Sequence, residues 1–182
     1  MKINNFDIIA PGLATSLGLS HLAASNEVWS EAEVLGSVVW LWLHSPDHRE
    51  MPLHMLSALL LPAIKYQQFI LASLHGKPVF YLSWANLNEE SETRYIQKPA
   101  YAMPEQDWNS GDRLWILDWV APFGHSYAIS RLLWRHLFSD RCGRALYHRG
   151  DERGLRIKTF RGIAVLQQAA QQWFANRPVI RP

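Results

Sequence analysis

Near the start of the chain, apolar residues recur at intervals of three and four, the spacing of one helix face. They are Val34, Leu35, Val38, Val39 and Trp42. The pattern predicts a helix over 29–43, and Pro46 ends it because proline lacks the backbone N–H that would continue a helix. A second helical or mixed segment is predicted over 52–64.

Runs with strand character follow. Two of them, 68–73 and 79–84, flank a turn at 75–78 that contains glycine and proline, which predicts a β-hairpin. A third run, 112–120, is apolar on both faces and predicts a buried strand. The other predicted elements are helices over 88–95, 126–138 and 163–174, and a strand pair around 150–154. This order of elements indicates an α/β fold with a central mixed sheet flanked by helices.

No internal repeat or low-complexity linker divides the chain, so a single domain is predicted over 31–178. Residues 1–30 are expected to form a loosely packed N-terminal extension. No apolar run reaches the length of a membrane span, so we expect no stable membrane insertion. The single cysteine, Cys142, excludes an internal disulfide and fits a reducing compartment such as the cytoplasm.

The composition is globular, with 48% apolar and 19% charged residues in 182. Charge is unevenly distributed along the chain. Residues 1–130 carry 7 basic and 13 acidic residues, whereas residues 131–161 carry 9 basic and 3 acidic residues. A basic segment of this kind indicates an acidic partner, either nucleic acid or an acidic carrier protein, or else a solvated face.

The predicted first helix ends in a cluster of groups that can move protons. It is formed by His44, Ser45, Asp47, His48 and Arg49. A hydroxyl three residues before an imidazole can be a nucleophile beside its base, or it can cap a helix. Two imidazoles four residues apart can also bind a metal, but the proline between them breaks the helix and no third ligand is evident, so no metal is expected.

Asp118 interrupts the apolar strand predicted over 112–120. A carboxylate there is costly unless it is paired or hydrogen-bonded. One explanation is a satisfied core carboxylate, for example one paired with Arg113. The other is an aspartate that orients a histidine base, as in hydrolytic triads, and His48 is then the candidate base.

Several separated segments carry a resemblance to a known family. They are Leu35-Gly36-Ser37-Val38-Val39-Trp40-Leu41-Trp42, Ser45-Pro46-Asp47-His48-Arg49, Leu61-Pro62-Ala63-Ile64, Tyr81-Leu82-Ser83-Trp84-Ala85-Asn86, Trp108-Asn109-Ser110-Gly111-Asp112-Arg113 and Trp115-Ile116-Leu117-Asp118-Trp119-Val120-Ala121-Pro122-Phe123. In these segments the chain resembles the RTX-toxin-activating lysine acyltransferases. These enzymes move a fatty acyl group from acyl carrier protein to internal lysines of a pore-forming toxin. The resemblance covers 34–124 and extends more weakly to the last helix.

The resemblance implies that His48 and Asp118 are catalytic, with Ser45 as a further catalytic candidate. It also makes Tyr81, Arg113 and Trp119 candidates for substrate binding.

The family's fold is GNAT-like. The usual glycine-rich loop for coenzyme A is replaced here by residues 121–125, which fits a donor presented on a carrier protein. The implied partners are acyl carrier protein as co-substrate and an RTX-type protoxin, with no cofactor and no nucleic acid. A homodimer and a cytoplasmic location are expected.

The sequence leaves two routes open: direct attack of the lysine on the thioester with His48 as general base, or an acyl group held transiently on Ser45 or His48. The alternative function is a non-enzymatic, aromatic-lined binding module or chaperone for an RTX-like partner. It explains the tryptophans and the uneven charge without requiring the histidine and the aspartate.

Overall fold

The structure is a computed structural model that describes residues 2–3, 5–14, 29–147 and 156–179. Within these ranges, seven strands are hydrogen-bonded in the order in which they occur in the chain. The strands are β1 (Lys2–Ile3), β2 (Phe6–Ile9), β3 (Phe69–Leu74), β4 (Lys77–Leu87), β5 (Arg113–Val120), β6 (Cys142–Tyr147) and β7 (Arg156–Arg161). The α-helices are α1 (Pro11–Ala14), α2 (Glu31–Leu43), α3 (Leu56–Leu59), α4 (Leu61–Lys65), α5 (Glu89–Gln97), α6 (Ser126–Leu132) and α7 (Gln167–Ala175).

The chain divides into two compact units. The first consists of Met1–Ser83 and Asp118–Tyr127, and the second of Trp84–Leu117 and Ala128–Pro182. Strands β4 and β5 contribute residues to both units. Among the described residues, no helix is long and apolar enough to cross a membrane.

In the first unit, β1, β2, β3 and the first part of β4 pair in antiparallel fashion. The predicted hairpin is present, and its two-residue turn is His75-Gly76, with φ angles of 51° and 75°. Positive φ at both central residues is the geometry of a type I′ turn, which matches the twist of paired strands. Helix α2 buries Val34, Val38 and Leu41 against β3 and β4.

In the second unit, β5 runs parallel to β6, and β6 runs antiparallel to β7. Helix α5 packs on β5 through an edge-to-face contact of Tyr95 with Trp115, whose ring centroids are 5.4 Å apart. The predicted fold class, α/β with a mixed sheet flanked by helices, is therefore confirmed, and it fits the expected GNAT-like fold.

The N-terminal residues differ from the prediction. Strand β2 pairs with β3, and Phe6, Ile8 and Leu13 are buried. A side chain at Gly12 would lie 2.2 Å from the backbone oxygen of Gln67, so α1 packs closely. The expected loose packing is wrong for 5–14. The domain limits, 1–30 and 31–178, stay a prediction.

One predicted helix changes type along its length, and another begins later than predicted. Helix α6 continues as a π-helix over Leu133–Leu137, in which the Phe138 N–H donates to the Leu133 carbonyl. The last helix begins at Gln167 rather than near 163, because the residue before it, Leu166, has an extended backbone with φ −61° and ψ 146°. The predicted strand pair is present as β6 and β7, but its turn at 150–154 lies outside the described residues.

Candidate active site

The end of α2 places Ser45 and His48 on the same side of one turn. Pro46 cannot donate a backbone hydrogen bond, so the helix stops and a tight turn follows. In that turn the carbonyl of Ser45 accepts from the N–H groups of His48 and Arg49, at 3.1 and 3.0 Å. The predicted proximity of the hydroxyl and the imidazole is confirmed.

Ser45, His48 and Asp118 form a hydrogen-bonded triad in the first unit. Nε2 of His48 lies 3.0 Å from Oδ1 of Asp118, and Nδ1 lies 2.8 Å from Oγ of Ser45. An ionised carboxylate only accepts hydrogen bonds, so the neutral imidazole carries its proton on Nε2. Nδ1 is then the basic nitrogen, and it accepts the hydroxyl proton of Ser45.

Asp118 accepts hydrogen bonds on both of its oxygens. Oδ1 accepts from the His48 ring and from the backbone N–H of Trp119, at 2.8 Å, and Oδ2 accepts from the indole N–H of Trp42, at 3.2 Å. The carboxylate is thus both satisfied and bound to the histidine. Asp118 therefore fits both explanations for an aspartate inside an apolar strand: its carboxylate is hydrogen-bonded, and it orients a histidine.

The environment of His48 changes its basicity. Burial lowers its pKa, but the hydrogen bond to Asp118 and the charges of Asp118 and Asp47 outweigh this, so the pKa lies above the ordinary 6.5. The side chains of His48 and Asp118 remain 19% and 15% exposed. The base is therefore shielded but still within reach of a substrate.

Tyr81 and Trp119 lie in the same unit. The Tyr81 side chain is closed off from solvent, and its hydroxyl has no hydrogen-bond partner among the described residues. Burial, and next the charge of Asp118, raise the pKa of Tyr81, so the hydroxyl stays protonated. Trp119 donates its indole N–H to Oγ of Ser126 at 2.9 Å and packs edge-to-face on Phe80. Substrate binding by either residue stays a prediction.

Arg113 belongs to the second unit, where it is buried. It pairs with Glu92 and, at 3.1 Å, with Glu89. Glu92 also accepts from Arg144 at 2.9 Å and from the indole of Trp115 at 2.7 Å. These contacts give Arg113 a structural role, and its predicted role in substrate binding is untested.

His44 differs from His48 in its contacts. Its Nδ1–H donates to the carbonyl of Trp40 at 2.7 Å, and its ring packs at a tilt of 41° against the Trp40 ring, with the centroids 4.2 Å apart. Nowhere in the described ranges do three or more His, Cys, Asp or Glu side chains form a group that could hold a metal ion.

The sequence did not single out Trp42 as part of the site. It binds Asp118, and its ring centroid lies 5.2 Å from that of His48. The sequence did contain a signal for this contact. A buried carboxylate needs hydrogen-bond donors, and the indole N–H of a tryptophan near the end of α2 can supply one. Its helical spacing with the core residues pointed to packing alone.

An α/β fold that joins a hydroxyl, an imidazole and a carboxylate by hydrogen bonds has the groups of an acyl-transfer enzyme. The chain belongs to the RTX toxin acyltransferase family, whose family model matches residues 27–161. The resemblance noted in the sequence is thereby confirmed.

Three relatives agree with this assignment. The chain is 42% identical over 142 residues to the RTX-I toxin-activating lysine-acyltransferase ApxIC of Actinobacillus pleuropneumoniae, covering 78% of this chain and 81% of that protein. It is 41% identical over 140 residues to the protein-lysine myristoyltransferase RtxC of Kingella kingae, covering 77% and 83%. It is 38% identical over 142 residues to the protein-lysine myristoyltransferase HlyC of Escherichia coli, covering 78% and 82%. The protein is an acyltransferase, and the non-enzymatic alternative is wrong.

Proposed function

We propose that the protein transfers a fatty acyl group from acyl carrier protein to the ε-amino groups of internal lysines of an RTX-type protoxin, and thereby activates it. The observation that carries the proposal is the triad of Ser45, His48 and Asp118 in a member of this family. The relatives support the lysine acceptor, since their names describe lysine acyltransferases and two of them are myristoyltransferases.

The chemical task is to obtain a neutral amine. A lysine with a pKa near 10.4 is neutral in only about one molecule in 2,500 at pH 7, which corresponds to about 4.6 kcal/mol. His48 accepts the proton on Nδ1 as the amine attacks the thioester carbon. The amide bond forms, the carbon–sulfur bond breaks, and the carrier thiol leaves with the proton that Nδ1 returns. Asp118 holds the imidazole in the tautomer whose Nδ1 carries no proton, so that the amine can take the place of the Ser45 hydroxyl there. General-base catalysis of this kind contributes roughly 10²–10⁴-fold.

A second route is favoured by the hydrogen bond between Ser45 and His48. The Ser45 hydroxyl already donates a hydrogen bond to Nδ1 of His48 across 2.8 Å, as a nucleophile does to its general base. Oγ attacks the thioester, its proton passes to Nδ1, and the carrier thiol leaves with that proton. The lysine amine then attacks the serine ester, gives a proton to Nδ1, and the serine oxygen leaves and takes the proton back. Both routes require His48 and Asp118.

The donor is proposed to dock on the basic segment 131–161. Arg131, Arg135, Arg156 and Lys158 are exposed there, as an acidic carrier protein requires. Arg144 does not contribute, because it is buried beside Glu92. Acyl carrier protein serves as co-substrate and no further cofactor is proposed. The homodimer and the cytoplasmic location stay predictions.

The test is an intact-mass measurement on a protoxin incubated with acyl carrier protein donor and the enzyme. We expect a mass increase of whole acyl chains, located on lysines by peptide sequencing. His48→Ala should fold normally and give no increase. Full transfer by that variant would overturn the mechanism, and no transfer by the wild-type enzyme to any RTX protoxin would overturn the function.

A further inference from the structure

A groove of about 950 Å³ lies in the first unit, between α2 and strands β2 to β4. We call it the α2 groove. Its larger apolar side chains are Ile9, Trp29, Trp40, Leu71, Val79 and Phe123. Two charged residues that line it, Glu33 and Lys77, are exposed to solvent. Its size and apolar walls are those of a site for a small apolar ligand.

Gly36 lines this groove from the interior of α2. A glycine in a helix interior is destabilising relative to alanine, so it usually has a packing reason. Here a side chain would meet nothing within 4 Å, and the backbone does not have positive φ. The fold therefore does not require glycine at this position. What glycine does is leave the wall of the groove free of a side chain.

Two aromatic residues that line the groove are close to the triad along the chain. The rings of Trp40 and Phe123, which line the groove, lie 5.5 Å apart. Both contact the ring of His44, at 4.2 and 5.4 Å, and His44 directly precedes Ser45. Phe123 follows Asp118 by five residues in the turn after β5. An apolar chain in the groove can thus leave its reactive end beside these aromatic rings.

We propose that the α2 groove binds the fatty acyl chain of the donor, with the thioester at the Trp40–Phe123 end, and that the open wall at Gly36 sets the length of chain accepted. The inference rests on the proposed function, because it takes the donor to be a fatty acyl thioester. Each methylene that is buried in the groove contributes about fourfold in affinity.

The matched variants are Gly36→Phe and Ala32→Phe. Both place the same side chain on an exposed position of α2, but only Gly36 lines the groove. Transfer to a protoxin is measured with palmitoyl and butyryl donors on acyl carrier protein. We expect Gly36→Phe to lose about fourfold in kcat/KM for each palmitoyl methylene it displaces and to keep butyryl transfer. Ala32→Phe should behave as the wild type.

A second measurement is independent of turnover. A palmitoyl pantetheine thioester with a diazirine at the end of the acyl chain is photolysed with the wild-type protein, and labelled peptides are identified. Labels on α2, β3 or β4 support the groove even if no acceptor lysine is modified, in which case only the proposed function fails. If the wild type transfers both acyl chains and Gly36→Phe leaves the ratio of the palmitoyl to the butyryl kcat/KM unchanged, the acyl-binding role of the groove is overturned while the proposed function stands. Labelling confined to other segments also overturns it.

Discussion

The indole N–H of Trp42 donates to Oδ2 of Asp118 across 3.2 Å, and this leaves Oδ1 to the ring of His48. The carboxylate is bound on both oxygens, so it cannot rotate without breaking a hydrogen bond. Trp42 is itself fixed, since it is 5% exposed in the core face of α2. It is therefore a positioning residue that acts through Asp118.

Trp42→Phe should keep the fold and weaken catalysis. A hydrogen bond to a charged group contributes about 1.5–3 kcal/mol, so we expect kcat to fall about tenfold or more with little change in KM. Without that donor the charge of Asp118 acts more fully on the His48 ring, which raises the pKa of His48 and moves the acid limb of the pH–rate profile to higher pH.

Trp134→Phe is the matched control for this prediction. The indole N–H of Trp134 is buried and has no hydrogen-bond partner within the described part of the chain, so its removal breaks no such bond. An equal loss of kcat in both variants, at equal stability, would show that Trp42 acts by packing only.

The pH dependence follows from the raised pKa of His48. The base must be neutral, so activity should rise with pH through a midpoint above 6.5. In Asp118→Asn the burial that lowers this pKa remains, and the hydrogen bond to the carboxylate and its charge are lost. The midpoint should therefore move to lower pH, and kcat should fall by roughly 10²–10⁴.

The stability of the pair has the opposite dependence on pH. Because the folded pKa of His48 is raised, its contribution is complete below 6.5 and is lost as pH rises through the folded value. Urea titrations of wild type and Asp118→Asn at several pH values measure this. A difference in unfolding free energy that grows with pH would contradict the assignment.

Ser45 distinguishes the two routes. If the hydroxyl is the nucleophile, wild-type enzyme mixed with donor alone gains the mass of one acyl chain on Ser45. Ser45→Ala removes the nucleophile and leaves the base, so it should gain no mass and lose transfer. Ser45→Cys supplies a thiol at the same position and should form a thioester adduct that is removed by hydroxylamine. Normal transfer by Ser45→Ala, with no gain of mass by that variant on mixing with donor alone, would assign the reaction to direct attack.

The basic segment should affect the binding of acyl carrier protein but not the binding of the acyl chain. Charge reversal at Arg135 and Lys158 should raise KM for acyl carrier protein severalfold, since each exposed charge contributes up to about 1 kcal/mol. The increase should shrink at high salt. Palmitoyl pantetheine, which lacks the protein, should be unaffected. The control is Lys98→Glu, which reverses an exposed charge outside the segment. An equal increase in KM in that variant would contradict docking of the carrier on the basic segment.

Sequence patterns predicted the parts of the fold that are encoded locally. The hairpin around Gly76 and the buried strand β5 follow from short runs and turn residues, and His48 and Asp118 were identified because a proton-transfer cluster and a carboxylate in an apolar strand are conspicuous. Strand β2 was missed because four residues form a strand only through pairing with β3, far along the chain. Contacts of that kind depend on the fold and not on local propensity.

The same limit applies to side chains whose role depends on what surrounds them. Arg113 was grouped with substrate-binding candidates through a shared motif, whereas its contacts with Glu89 and Glu92 are visible only in three dimensions. Gly36 is visible in the sequence as a glycine inside a predicted helix, but the groove beside it is seen only in three dimensions. Trp42 has the helical spacing of a core residue and does lie in the core, so its spacing gives no sign that its indole N–H binds Asp118.

The ion network of the second unit gives a last prediction. Glu92 is 2% exposed and is the buried anion that pairs with both Arg113 and Arg144, and burial lowers the pKa of Arg144. Removing one partner of a buried pair leaves uncompensated charge and costs about 3–5 kcal/mol. Glu92→Gln should lower the free energy of unfolding by that amount in urea titrations.

Glu90→Gln supplies the comparison on the same helix. Glu90 pairs with Arg94 at 2.5 Å, but its side chain is 79% exposed, so its loss should cost less than about 1 kcal/mol. A loss of similar size in the two variants would mean that water reaches Glu92 and screens its charge. We expect Glu92→Gln to lose much more stability than Glu90→Gln, because the side chains of Arg113 and Arg144 are only 8% and 3% exposed. Little water can therefore stabilise their charges once the anion is lost.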